Sequence, residues 1–339
     1  MLELFNFTRA FLMDKFLARA TVAVVGIGNW GKNIVRVCRE LGVLAGVCDR
    51  DEKKTSLFSY EYEVAALTWE EILRDPTITA VAITLPADLH EIYTHQALEA
   101  GKHVFVEKPM AMSKLVAKKL SDKAFRSDKI LMVGHILQYH NAYIKLRELV
   151  SLGTIGAIKY IESTRLHLGP VRKEIGILWE LMPHDLSMVL GLATSEVVNT
   201  RLTHQNFLNN NTDLNSADVI DVNLEFTNGI KARVYSSWLH PNKEQKFWVV
   251  GTKGMLIFDN VQDWQNKLKL VVFNNHSTST QAVPLVEAEP LKAEMEHFIH
   301  CIQHNITAKT DGEEGCRVVK LLEQIAVAVE VEQEELEVV

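Results

Sequence analysis

Cysteine is scarce: four residues in 339, none in a C-x-x-C spacing, which gives no support to a disulfide framework or a zinc ribbon. Cys38 and Cys48 fall inside a predicted helix and a predicted buried strand, and with Cys301 and Cys316 they read as packed thiols of a protein in the reducing cytoplasm. Glycine and proline are also few, at 17 and 8, which argues against low-complexity, collagen-like and disordered chains. Excess positive charge is missing: 36 Lys and Arg face 43 Asp and Glu, a net charge of −7. Such a chain has no overall basic field for nucleic acid or an anionic membrane, so a phosphate-bearing ligand must be held locally. A long unbroken apolar run is absent too. The opening MLELFNFTRAFLMDKFLARA has Glu3 ahead of its apolar part and Arg9, Asp14, Lys15 and Arg19 within it. Residues 1–20 therefore read as a short extension and not a signal peptide or span, with Met13 as an alternative start. What remains is 47% hydrophobic and 23% charged residues, enough for about two domains, each with its own core.

From Thr21 to Gly134 short apolar strands alternate with amphipathic segments: TVAVV, a helix over 30–41, LAGVC, a polar stretch, AVAIT, a helix over 89–100, HVFVE, a helix from about Lys114, and ILMVG. Buried strands alternating with helices predict a parallel, doubly wound sheet, an α/β Rossmann domain over 21–135. A helix over 142–151 follows, and the pattern then changes to longer strands of period two. AIKYIESTRLHL is one; VIDVNLEF and IKARVYSSWL are joined through Asn228-Gly229, a strong hairpin signal. KFWVV and GMLIFDN form a second hairpin across Gly251 to Gly254, and KLKLVVF adds a strand. With helices over 291–304 and 314–335, residues 136–339 are predicted as an α+β domain on a mostly antiparallel, open-faced sheet.

Gly26-Ile27-Gly28-Asn29-Trp30-Gly31 has G-x-G-x-x-G spacing, directly after TVAVV and opening a helix. The first glycine permits the turn, the second lets the backbone approach a pyrophosphate, and the third lets helix and strand pack. Asn29 and Trp30 complete the loop. Asp49 ends the second strand 23 residues after Gly26, where a carboxylate grips the ribose hydroxyls of NAD and repels the 2′-phosphate of NADP. Arg50 beside it would hold that phosphate if its guanidinium turned inward; its ordinary reading is a solvated surface arginine. At the end of HVFVE, Glu107-Lys108-Pro109 puts a lysine at the carboxyl edge of the parallel sheet, where ligands of such sheets bind.

The segments AVVGIGNWGKN, TLPADLHEIYTHQALEAGKHVFVEKPMA and WELMPHDLSMVLGL together resemble the glucose-fructose oxidoreductase, inositol dehydrogenase and MocA (Gfo/Idh/MocA) family over nearly the whole chain. WGKN, LQYHNAYIKLREL, RLHLGPVRKE, LWELMPHD and SWLHPNKEQKFWVVGTKGM look most like its UDP-N-acetylglucosamine 3-dehydrogenases. These oxidise a sugar 3-hydroxyl with NAD ahead of a pyridoxal-phosphate aminotransferase in lipid A synthesis. The resemblance implies a dimer or tetramer formed through the C-terminal sheet. It makes Lys108 the lysine of the family's E-K-P motif and His184 the histidine of its D-x-x-x-H motif. Glu180 stands where the family usually has Asp, one methylene longer, and shares a helix face with His184. Pro86 and His90 would line the cofactor.

Oxidising a secondary alcohol sends a hydride to the nicotinamide and a proton to a base, so two groups serve one oxygen. Lys108 and His184 suit this as base and hydrogen-bond donor in either order; the ordinary pKa of histidine, nearer neutrality, favours His184 as base. Arg165 and Arg172 are candidates for the pyrophosphate of a UDP-sugar, and Tyr139 and His140 for its sugar or uracil. The 13 histidines are read as holding no metal. The rival readings are a related dehydrogenase of UDP-N-acetylglucosaminuronic acid, inositol or another sugar, and a non-catalytic NAD-binding sensor, which would have no use for an acid-base pair.

Overall fold

The structure, a computed structural model, describes residues 20–169, 176–208, 214–274 and 277–337. It divides into two compact units.

The first unit is built on six parallel strands, β1 (Val22–Val25), β2 (Leu44–Cys48), β3 (Ala65–Ala66), β4 (Ala80–Ile83), β5 (His103–Val106) and β6 (Leu131–Val133), in the order β3-β2-β1-β4-β5-β6. That order reverses direction at β1, between β2 and β4, the switch point at which doubly wound sheets bind their ligands. Residues 22–25 and 80–83 are all buried, as the continuous apolar runs VAVV and AVAI require of strands covered on both faces. Helices α1 (Gly31–Glu40), α2 (Glu52–Tyr62), α3 (Trp69–Arg74), α4 (His90–Glu99) and α5 (Lys114–Arg126) connect them. The polar stretch after β2 thus contains α2, β3 and α3. Its turn chemistry is strong, with Asp51 capping α2 and a Thr68/Glu71 capping box opening α3, but each helix buries a single residue, Thr55 and Ile72, so neither shows an apolar stripe in the sequence.

The second unit carries α6 (Asn141–Ser151), β7 (Ile158–Leu168), α7 (Gly176–Ala193), β8 (Val197–Gln205), β9 (Val219–Phe226), β10 (Lys231–Ser237), β11 (Leu239–Gly251), β12 (Gly254–Asp259), β13 (Leu268–Asn274) and β14 (Ser277–Ala282). The eight strands form one sheet, β14-β13-β12-β11-β7-β10-β9-β8, antiparallel except where β10 lies parallel to β7. Both hairpins are present: Asn228-Gly229 sits in the turn after Phe226, with Gly229 at φ 80°, and Thr252-Lys253 joins β11 to β12. Edge strands β8 and β14 are too polar to be distinguished from loops in the sequence.

Two helices close the chain, α8 (Pro290–His304) and α9 (Gly312–Glu337). Here the expected boundary is corrected. Residues Leu291–Glu313 belong to the first unit, so α8 does not join the sheet domain predicted over 136–339. Phe298 of α8 meets Phe105 of β5 edge-on at 6.0 Å, a contact that hydrophobic periodicity cannot assign to one sheet or the other. Cys38, Cys48, Cys301 and Cys316 are all free thiols. Among the described residues no helix is long and apolar enough to cross a membrane.

Candidate functional site

The glycine loop separates its glycines by role. A Cβ at Gly26, which holds φ 92°, would meet the Thr84 carbonyl oxygen at 2.9 Å, and one at Gly31 would meet the Gly26 carbonyl oxygen at 2.0 Å, so both are fixed by the chain's own packing. At Gly28 nothing lies within 4 Å. That open approach, at the N-terminus of α1 where Trp30 supplies no side-chain cap, is what a pyrophosphate needs. Asn29 and Trp30 are exposed beside it.

Asp49 closes the other side. Its carboxylate accepts the Ile27 N–H at 2.6 Å and the Asp51 N–H at 3.0 Å, with the Lys54 ammonium at 3.7 Å. Burial alone would raise its pKa; the amides of Asp51 and Ile27, then Lys54 and Arg50, overcome this and hold it below the usual carboxylate range. A cleft of about 750 Å³ is lined by Gly26, Gly28, Asp49, Arg50 and Pro86. The residues present therefore fit a dinucleotide, with an ionised carboxylate at the ribose position.

At the end of β5, Glu107 accepts the Trp30 indole N–H and, at 3.3 Å, the Lys108 backbone N–H. Glu107 and Lys108 are half-buried, and the Lys108–Pro109 peptide is cis. His90, expected to line the cofactor, is instead 1% exposed, its ring held between the carbonyls of Pro109 and Leu85. It shapes the walls of the crevice and offers no surface to a ligand.

In the second unit, α7 packs on β7, β9 and β10 and is apolar nearly all round. Between Gly176 and Val189 only Glu180 and His184 escape full burial. Their spacing of four puts both on one accessible stripe, as the sequence predicts. Three neighbours further along the helix hold it in place. Asp185 accepts the Ser163 hydroxyl at 2.6 Å and Arg165 through Nε at 2.6 Å and a second guanidinium nitrogen at 3.2 Å. The Ser187 hydroxyl donates to Glu314 at 2.6 Å, and Glu314 also meets His135 Nδ1 at 2.6 Å. The Tyr143 hydroxyl donates to the Met188 carbonyl at 2.8 Å.

These contacts revise two expected substrate residues. Arg165, proposed for a pyrophosphate, is committed to the buried Asp185 in a forked ion pair. His140 is 4% exposed; its Nδ1 accepts the Ala142 N–H at the start of α6 and its ring packs against Phe258 and Trp264. Burial, and secondarily Lys267, pushes its pKa down to about 4. It caps and packs, and the same desolvation that makes it a good core residue removes it from ligand contact. Tyr139 is 3% exposed. Arg172 lies outside the described residues.

Asp185 and Glu314 hold α7 in place and are not singled out by the sequence reading; an acid directly after His184 is the one signal for the first. The expectation that the histidines include no H-x-x-x-H spacing is corrected: His300 and His304 on α8 have it, with ring centroids 4.2 Å apart. No cluster of three or more metal-ligating side chains is assembled among the described residues.

The sequence profile described as "Oxidoreductase family, NAD-binding Rossmann fold" matches residues 20–135, and that of the GFO/IDH/MocA C-terminal domain matches residues 143–257. The UDP-N-acetylglucosamine 3-dehydrogenase of Acidithiobacillus ferrooxidans is 27% identical over 311 residues, 91% of this chain and 96% of that protein. Its crystal structure superposes with a TM-score of 0.82, covering 92% of this chain and 98% of its own. The scyllo-inositol 2-dehydrogenase (NAD(+)) of Bacillus subtilis is 26% identical over 306 residues, 84% of this chain and 86% of that protein.

Proposed function

The chain belongs to the Gfo/Idh/MocA oxidoreductases, and from that premise we propose that it oxidises the 3-hydroxyl of UDP-N-acetylglucosamine with NAD. The observation that carries the substrate is end-to-end similarity to a UDP-N-acetylglucosamine 3-dehydrogenase, over 91% of one chain and 96% of the other. Asp49, ionised and aimed at the loop, supports NAD over NADP, because a 2′-phosphate would sit against its charge.

Gly26, Gly28 and Gly31 would hold the pyrophosphate, Asp49 the adenosine ribose, and Pro86, Glu107 and Lys108 would shape the nicotinamide end. NAD, when bound, supplies the hydride acceptor. The protein's own residues manage the proton: His184 takes it from the substrate hydroxyl oxygen, Glu180 orients that imidazole from one turn away, and Lys108 donates a hydrogen bond to the alkoxide as its charge develops. The 3-keto nucleotide sugar formed would pass to a pyridoxal-phosphate aminotransferase in lipid A or surface-polysaccharide synthesis in the cytoplasm. A homo-oligomer would form through the outer sheet face, where Tyr160, Tyr235 and Trp248 stand half-exposed among charged neighbours.

The engagement of Arg165 by Asp185 favours one other reading, a family dehydrogenase of an inositol or free sugar, since such a substrate brings no pyrophosphate to bind. A panel of nucleotide sugars, free sugars and inositols, assayed with NAD and with an aminotransferase to remove ketone, separates the two. Mass spectrometry showing a UDP-sugar with one hydroxyl replaced by an amine is the expected result; turnover of an inositol or the uronic acid alone would replace the substrate and keep the rest.

A further inference from the structure

Glu294 on α8 is a carboxyl group in an unusual place. It is 0% exposed, and neither of its oxygens has a hydrogen-bond partner among the described residues. An ionised carboxylate cannot be kept there without a partner, because desolvation costs more than protonation does. Its position follows from the packing of α8 on β5. Phe298 contacts Phe105 edge-on. Glu294 lies one turn before Phe298 on the same helix face, and Glu107 lies two residues beyond Phe105 on the same strand face. The charge acting on Glu294 is that of Glu107, and with burial as the larger cause it pushes the Glu294 pKa well above the carboxylate range.

Glu107 is the residue that joins the glycine loop to the end of β5, accepting from the Trp30 indole and the Lys108 amide. Its two oxygens serve the two donors separately, Oε1 the indole and Oε2 the amide, and an ionised carboxylate is the stronger acceptor for both. We propose that Glu294 is a positioning residue for the cofactor loop: as a neutral acid beside Glu107 it leaves that carboxylate the single charge on which Trp30 and the Lys108 amide converge. A second carboxylate at this spot would repel Glu107 away from Trp30 and loosen the loop that receives the dinucleotide. The inference rests on the NAD-binding reading for its consequence, while the protonation of Glu294 stands independently.

The test compares the intact wild-type chain with Glu294→Gln, a neutral isostere, in two measurements. The first needs no cofactor. Because the folded state holds the Glu294 proton more tightly than the unfolded chain, its contribution is full at acid pH and is lost as pH rises toward the folded pKa. The melting temperature of the Gln variant should therefore gain on wild type steadily from about pH 5 to about pH 8. A difference constant across that range overturns the protonation. The second is calorimetric titration with NAD. Wild-type affinity should weaken at least about threefold toward alkaline pH, and the variant should flatten that dependence. Identical pH dependences overturn the positioning role. Absence of NAD binding by both proteins, with the melting difference intact, would instead count against the cofactor reading. Should the Gln variant fail to fold, Glu294→Met gives the same melting comparison with an apolar side chain of similar length.

Discussion

His90 Nδ1 lies 2.7 Å from the carbonyl oxygen of Pro109, and the opposite ring nitrogen lies 2.8 Å from that of Leu85. One buried imidazole therefore ties the turn that carries Pro86 to the corner that carries Lys108. Burial chiefly, with a smaller contribution from the Lys108 charge, lowers its pKa, so the neutral ring has one N–H to share between two carbonyls. His90→Ala should cut kcat about tenfold or more through misplacement of Lys108, with the KM for NAD changed far less. His90→Gln, which retains a donor, should recover part of the loss. Equal losses in kcat and NAD affinity would mean that His90 supports the whole domain and not this corner.

Asp49 predicts cofactor choice. Wild type should bind NAD more tightly than NADP in parallel calorimetric titrations, and Asp49→Ser should narrow the gap by removing the repulsion of the 2′-phosphate. Equal or tighter NADP binding by wild type would assign the site to Arg50, which lines the same cleft.

Lys108→Ala and His184→Ala should each lower turnover by about a hundredfold or more and leave NAD affinity nearly unchanged. The proposed mechanism assigns both groups to one oxygen, and it requires the double variant to lose less than the product of the single losses. Near wild-type turnover in either single variant would remove that residue from the chemistry.

The parts of this molecule that were legible in the sequence are those in which local chemistry and burial agree. The strand, glycine loop, helix and acid of 22–49 each need particular residues, and all were placed; so was the Asn228-Gly229 hairpin. Glu180 and His184 were singled out by the resemblance to the family motif, and helix spacing puts the pair on one stripe. What was not legible depends on contacts distant in sequence. Nothing near residue 165 announces that its guanidinium belongs to Asp185, and nothing in EMEHFIHC indicates that α8 packs beside β5. His140 is ambiguous for a similar reason: a histidine capping a helix and one facing a ligand have the same local sequence.

Arg165 tests that correction. Its forked pair with Asp185 is nearly buried, the two side chains being 11% and 3% exposed. Arg165→Ala should destabilise the protein by about 3–5 kcal/mol in denaturant titration, since it strands a buried carboxylate. A fully stable variant with a raised KM for the UDP-sugar would return Arg165 to the substrate.

His140 carries a prediction in pH. Its folded pKa of about 4 lies below the ordinary 6.5, with burial the larger cause and Lys267 the smaller. A depressed histidine contributes stability that is fully present above the unfolded value and is lost as pH falls through the folded one, because the unfolded chain takes up the proton first. Wild type should therefore lose stability between about pH 6.5 and about pH 4. His140→Asn keeps an acceptor for the Ala142 N–H and cannot titrate, so it should be less stable at pH 7 through lost ring packing against Phe258 and Trp264. Its deficit should shrink on acidification across that window. Because His103, whose pKa is also pushed down to about 4 by burial and then Lys129, remains in both proteins, the comparison isolates the contribution of His140. A deficit that stays constant across the window would mean that His140 takes up its proton in the folded state as readily as in the unfolded chain, and would reopen the ring to solvent and to a ligand.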